Sequence, residues 1–226
     1  MRTIAELQDS LDSDLAWRRS ELHSYLGSVR RSSQDSVTQR SLCRAGVPLL
    51  YAHWEGYAKH ALSVYIQFVG RRRLTYRELH PGFVALGIEA EADAQVGFSA
   101  TRKMIWKAHT LLTKDDDRAT IPWRKGVDTQ SNLNSNRFFE LFALVGLDAS
   151  PIQLKSRLID YELLRVRNEI AHGQYLSVDS TAYEELHQEV LTILNFVRNS
   201  ISTATENGAY RRAAASSSPK VIDLHT

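Results

Sequence analysis

The sequence predicts a mainly α fold, a helical bundle with two long antiparallel helices and a less regular middle insertion. Three observations predict it. Apolar residues recur at steps of three and four over long stretches near both ends of the chain. The polar run Arg31-Ser32-Ser33-Gln34-Asp35-Ser36 separates the first two stretches, so the helices on either side of it fold back on one another. Ser150-Pro151 and Gly173 bracket a third stretch as start and stop signals.

The first helix is expected from about Thr3 to about Arg31, on Ile4, Leu7, Leu11, Leu15, Leu22, Leu26 and Val29. The second runs from about Ser36, an N-cap candidate, to about Arg72, with a break expected near Gly46 and Pro48. Its stripe of Leu50, Trp54, Tyr57, Ala61, Val64 and Phe68 faces a core. The middle, 71–133, is less regular, with shorter helices around Tyr76–Ala90 and Ala100–Leu112 and a loop or short strand through Ile121-Pro122-Trp123-Arg124-Lys125-Gly126. A helix over Ser135–Val145 ends at Gly146. Ser150 caps the next, Pro151 opens it, and it ends near His172. The last helix spans about Ser180 to Thr203. Residues 1–203 thus form one domain with 71–133 as an insertion, and the Ala- and Ser-rich stretch 204–226 is a mobile tail.

With 226 residues, 43% of them hydrophobic and 24% charged, the chain can bury a core without covalent staples. A single cysteine, Cys43, excludes an intrachain disulfide and is expected to be a small buried residue. The N-terminus lacks the basic start and apolar run of a signal peptide, and no apolar stretch is long enough to span a bilayer. A cytoplasmic protein without membrane contact is expected. A formal charge of +2 does not by itself mark a nucleic-acid binder, so such a role needs local clusters. There is no His/Cys cluster at zinc spacing, no phosphate-cradling Gly-rich loop and no Gly-x-Ser-x-Gly elbow, so no metal or cofactor is expected.

The helix opening at Pro151 carries two faces. Ile152, Ile159, Leu163, Val166 and Ile170 form a narrow stripe at 3.6-residue spacing, which should face the domain's core. Leu154, Leu158 and Tyr161 lie on nearly the opposite side, followed there by Arg165, Asn168 and His172. An apolar second face implies a second partner, and a symmetric copy of the same chain is the commonest one. Leu154, Leu158 and Tyr161 are the candidate homodimer contact. Asn168 and His172 are four apart and can meet, whereas Arg167 points about 140° away from His172 on an ideal helix.

The segment Arg167-Asn168-Glu169-Ile170-Ala171-His172-Gly173 resembles the signature of the HEPN superfamily, an arginine followed after four to six residues by histidine. The stretch Leu49-Leu50-Tyr51-Ala52-His53-Trp54-Glu55-Gly56-Tyr57-Ala58-Lys59 resembles the second helix of uncharacterised bacterial HEPN nucleases. So does Ser131-Asn132-Leu133 with Phe142-Ala143-Leu144-Val145-Gly146-Leu147-Asp148. The resemblance spans roughly 3 to 200. It implies a HEPN-like bundle that dimerises so that two motifs line one cleft. It further implies a metal-independent endoribonuclease acting in a toxin–antitoxin, antiviral-defence or RNA-processing system. Arg167 and His172 match the catalytic pair, and Asn168 matches the polar residue that follows the arginine. Some HEPN toxins carry, two residues after the histidine, a tyrosine that an antitoxin modifies. Gln174 stands there in this chain and Tyr175 one later, which argues against a partner of that kind.

The residue types suit the chemistry. Cleaving RNA through its own 2′-hydroxyl requires a proton acceptor, a proton donor for the leaving 5′-oxygen, and a cation on the phosphorane. Histidine serves either proton role near neutrality, and arginine offers phosphate a fork of donors. Spacing alone is a weak signal, because Arg18 and His23 are also Arg-x4-His, and Arg102 and His109 are Arg-x6-His. The structural alternatives are a basic residue near a helix C-terminus for His172 and a solvated helix arginine for Arg167. Arg71, Arg72 and Arg73, with Arg77, and Arg102 and Lys103, with Lys107, either track an RNA backbone or form solvated faces. Glu55 and Lys59 are read as a helix salt bridge, Trp54 as core, and Asp115-Asp116-Asp117 as a solvated loop. The rival function is a non-catalytic module that binds RNA or a partner protein through the same surface, or a scaffold subunit that pairs with an enzyme.

Overall fold

Three long helices carry the fold in this computed structural model, which describes residues 1–95, 97–124, 127–129 and 132–213. Helix α1 (Ile4–Arg31) starts where the Thr3 hydroxyl accepts the Glu6 N–H at 3.1 Å, and α2 (Val37–Gly70) where Ser36 accepts from Gln39. The two are antiparallel, as the contacts from Tyr25 to the Leu42 carbonyl and from Tyr57 to the Leu11 carbonyl show. Helix α7 (Ser180–Glu206) also runs antiparallel to α1, with Arg30 on Glu184 at one end and Arg198 on Asp12 at 2.7 Å towards the other. It therefore lies parallel to α2. The shared apolar faces bury Leu11, Leu22, Leu50, Trp54, Tyr57, Val190 and Leu194. Cys43 is buried among them.

The break expected near Gly46 and Pro48 does not occur. Helix α2 continues through Pro48, although the proline nitrogen donates no bond to the carbonyl four residues back. Gly46 serves packing instead: a Cβ there would fall 2.4 Å from the Tyr183 ring of α7.

The middle segment is more ordered than its pattern suggests. A 3₁₀ turn (Tyr76–Glu78) leads into α3 (Pro81–Asp93), and α4 (Ala100–Thr113) packs back on α3. Residues 74–77 bond with 115–119, including Ala119 N–H to the Leu74 carbonyl at 3.0 Å and a Thr75–Arg118 bridge. That bridge and one between Leu79 and Arg211 are isolated pairings in an otherwise helical structure. Helix α5 (Ser135–Leu144) sets Phe138 against Trp54 at 4.8 Å and Phe142 against Phe196, closing the core over α2 and α7.

Two expectations need correction. The segment after Pro151 is not one regular α-helix. It is a 3₁₀ helix (Ser150–Lys155), then a π-helix (Leu158–Arg165), then α6 (Val166–Ala171). Ser150 is not its N-cap: its N–H and hydroxyl both donate to Asp148, at 2.9 and 2.8 Å. Each part is tied down by a different element. Lys155 pairs with Glu189 of α7, and Asp160 accepts the Ser135 N–H at 2.7 Å at the head of α5. The core stripe survives, with Ile152, Ile159 and Leu163 buried and Val166 and Ile170 half-buried. The second correction concerns the tail. Helix α7 runs on to Glu206, Tyr210 is buried against Phe68, and the Arg212 N–H donates to the Glu78 carbonyl at 2.9 Å. Residues 204–213 are thus part of the packed unit, and 214–226 lie outside the described residues.

Candidate active site

Helix α6 packs on the middle of α2, and this contact sets Arg167. Its guanidinium lies 4.7 Å from the centre of the Tyr51 ring. One guanidinium nitrogen donates to Asn168 Oδ1 at 2.6 Å and to Asn132 Oδ1 at 3.2 Å. Among the described residues no carboxylate pairs with Arg167. It is oriented by an aromatic face and two amide oxygens, none of which cancels its charge. An arginine fixed yet not neutralised is suited to an incoming anion.

The supports of Arg167 are themselves held. The buried Tyr51 hydroxyl accepts the Leu133 N–H at 2.6 Å. Burial and the neighbouring Glu55, to which the phenol is hydrogen-bonded, push its pKa up, so it stays protonated. Glu55 accepts from the Thr129 hydroxyl at 2.6 Å. Tyr51 and Glu55 stand four apart on α2, and Thr129, Asn132 and Leu133 come from the connection into α5. Sequence reasoning did not pick out Tyr51 and Asn132 as partners of Arg167, or Glu55 as a support of Tyr51. The available signal was that all three lie in the stretches that resemble other HEPN chains. The Glu55–Lys59 salt bridge does not form, since Glu55 turns to Tyr51 and Thr129. Trp54 is buried core, as expected.

His172 sits at the end of α6. Its N–H donates to the Asn168 carbonyl, the Gly173 N–H to Ile170, and the Gln174 N–H to Glu169, at 3.0, 3.0 and 2.9 Å. This closing motif needs Gly173 at φ +78°, in the left-handed region. Arg44 of α2 then grips the Gln174 carbonyl at 2.9 Å. The imidazole is exposed and makes no hydrogen bond or ion pair among the described residues. Asn168 is the link between the two candidates, because its side chain holds Arg167 and its carbonyl receives the His172 N–H. The expected meeting of the Asn168 and His172 side chains is not made, since the Asn168 oxygen is taken by Arg167. Arg165 pairs outward with Glu169 at 2.8 Å.

The other expected residues separate into groups. Leu154 is 98% exposed and Tyr161 58%, while Leu158 is half-buried, so this face of the segment is open. Arg71 and Arg73 line a cleft with Arg2, Arg118, Trp123 and Arg124. Arg72 instead folds over the Phe68 ring, 3.9 Å from its centre. Arg102 and Lys103 belong to α4 and do not line that cleft, and Lys103 is tied to Asp93 at 3.1 Å. Asp115 and Asp116 pair with Arg77, which accounts for part of the acidic run. Among the described residues no three His, Cys, Asp or Glu side chains cluster so as to hold a metal. The apolar hollow between α2, α3 and α5, about 470 Å³, is lined by Leu62, Ile66 and Leu86, and neither Arg167 nor His172 reaches it. Among the described residues no helix is long and apolar enough to cross a membrane.

No curated protein and no solved structure matches the chain. A family match does exist, to the family described as HEPN_MAE_28990:/-like HEPN, over residues 7–210. That span takes in all but the first turn of α1, the whole Arg167 site and Tyr210. The match covers most of the chain and agrees with the helical bundle, so this protein belongs to that HEPN family.

Proposed function

We propose that the protein is an endoribonuclease of the HEPN type that cleaves RNA through 2′-hydroxyl attack, independently of metal and as a homodimer. The observation that carries this reading is the state of Arg167, a positive group held in place by Tyr51, Asn132 and Asn168 with no carboxylate to neutralise it. A few residues away His172 presents a ring that no described residue engages. In the proposed reaction the 2′-oxygen attacks phosphorus and the bond to the 5′-oxygen breaks. The products are a 2′,3′-cyclic phosphate and a 5′-hydroxyl. His172 takes the 2′-hydroxyl proton or supplies one to the 5′-oxygen, a contribution of roughly 10²–10⁴-fold. Arg167 stabilises the charge that gathers on the phosphorane, and Asn168 positions Arg167.

Among the described residues Arg167 and His172 share no side-chain partner. A second copy supplies what is missing: two motifs facing each other set the arginine of one beside the histidine of its partner. The open Leu154, Leu158 and Tyr161 face offers the contact. The wider role is that of a toxin or antiviral-defence effector, which growth arrest on expression would support. The separation of the two side chains is also what favours the second reading, a non-catalytic module that binds RNA or a partner protein.

Cleavage decides between them. Purified protein incubated with a mixed RNA pool in EDTA is expected to yield cyclic phosphate 3′ ends, and His172→Ala none, with helical content and dimer unchanged. Full activity in His172→Ala overturns the catalytic assignment, and no cleavage by the unaltered protein leaves the binding module.

A further inference from the structure

Most of the protein's basic side chains that meet another element meet acids. Arg30 pairs with Glu184, Arg77 with Asp115 and Asp116, Lys107 with Glu89, and Arg198 with Asp12. The cleft at the C-terminal end of α2 departs from this rule. Arg2, Arg71, Arg73, Arg118 and Arg124 line it together, and among the described residues none of the five is in an ion pair. A chain of formal charge only +2 thus gathers five positive charges in one hollow of about 550 Å³, leaving the rest of the molecule net acidic.

The cleft is built rather than incidental. Trp123 stands in it with the Arg71 and Arg124 guanidiniums 5.1 and 4.9 Å from its ring, which orients both while leaving their N–H groups free. Gly70 makes room for that ring, since a Cβ there would lie 3.0 Å from it. Arg73 is held at φ +58°, a left-handed conformation that arginine rarely adopts. Arg118 is fixed by the backbone bridge to Thr75. Mutually repelling cations held in this way favour a ligand with several anionic groups. With the indole already engaged by guanidiniums, the chemistry offered is recognition of phosphate.

We propose that this cleft binds the phosphodiester backbone of a single RNA strand several nucleotides from the scissile bond. The proposal rests on the reading of RNA as the substrate. Its geometry is set by α2: Gly70 is 19 residues beyond Tyr51, about 28 Å along the helix. The connection that supplies Arg118, Trp123 and Arg124 to the cleft goes on to supply Asn132 and Leu133 to the Arg167 site. A strand lying along that connection would touch both.

The test is binding of a fluorescently labelled single-stranded RNA 12-mer to the full chain carrying His172→Ala, followed by anisotropy across a salt series. Adding Arg71→Gln with Arg124→Gln is expected to weaken binding tenfold or more. It should also flatten the dependence of log K on log salt by about 1.4, since each single-strand phosphate contact contributes about 0.7. Arg73→Gln with Arg118→Gln should do the same, and Arg30→Gln with Arg198→Gln, two acid-paired residues, should change neither. Removing like charges should leave the melting temperature unchanged or raised, which guards against misfolding as the cause. Unchanged affinity and slope in both cleft variants overturns the proposal. So does tripolyphosphate competing as well as the RNA, which would mark a free polyphosphate site, and so does binding only to phosphatidylserine vesicles. Salt-sensitive binding lost in the cleft variants, with no cleavage by the unaltered protein, would sink the nuclease reading and the scissile bond with it, and leave the cleft as an RNA-backbone site of a binding module.

Discussion

Arg18 and His23 on α1 have the same spacing as Arg167 and His172 at α6, and their surroundings differ in every respect that matters for chemistry. Arg18 is buried and paired with Asp14 at 2.6 Å, and Gly56 leaves space for it, since a Cβ there would lie 2.9 Å from the guanidinium. The His23 ring bonds to the Arg19 carbonyl at 2.7 Å within its own helix. Arg167 has no acid partner and His172 has no partner at all among the described residues. The third match behaves like the first in part, since the His109 ring meets Thr113 on its own helix at 3.4 Å. The lesson is that an arginine and a histidine at a given separation specify nothing. Function depends on whether the fold has already spent their charge and hydrogen bonds.

That contrast can be broken by experiment, and the largest effect should come from the motif itself. Arg167→Ala is expected to lower RNA cleavage by roughly 10²–10³-fold, the loss typical of removing one charge-stabilising donor, with little change in melting temperature. A fall in stability that parallels the fall in activity would make Arg167 a structural residue like Arg18. Next in size, Arg18→Ala should cost about 2 kcal/mol, because it leaves a half-buried Asp14 with the Trp17 N–H and no cation, while cleavage per folded molecule stays unchanged. A denaturant titration alongside the cleavage assay measures both. A smaller effect concerns pH. Burial pushes His53, His80 and His187 below the ordinary histidine value. Below about pH 6.5 the unfolded chain binds protons that the folded one resists, so stability should fall as pH drops from 7 to 5 and hold steady above 7. Melting curves across that range check the sign. The smallest effect is His23→Ala, expected to shift the melting temperature by no more than about 2 °C and to leave cleavage untouched.

The three long helices were legible because their apolar steps persist over many turns, and the Ser36 cap of α2 was in view. Arg167 and His172 were legible through family resemblance, with Asn168 between them. What lay beyond the sequence is long-range in origin. The segment that winds from 3₁₀ to π to α is anchored by Lys155 on Glu189 and Asp160 on Ser135, partners that a local window does not contain. The grip on Arg167 needs Tyr51 and Asn132, which come close only once α2 and the connection into α5 have packed. Tyr210 lies in a polar stretch that reads as a tail until the Phe68 ring is placed beside it. The arginine cleft joins residues 2, 71, 73, 118 and 124, which no periodicity relates.

The anchor at the end of the chain has a consequence for how the molecule opens. The Tyr210 carbonyl receives the His80 N–H at 2.9 Å, and Arg212 clasps Glu78 by its backbone. Glu78 ends the 3₁₀ turn and His80 leads from it into α3, and residues 74–77 beside them pair with 115–119. Fraying that begins at the C-terminus therefore cannot pass Arg212 without loosening the entrance to the middle segment. The end of α7 and the stretch that carries Arg118 should lose amide-exchange protection together, as one cooperative unit, although more than eighty residues separate them in the chain.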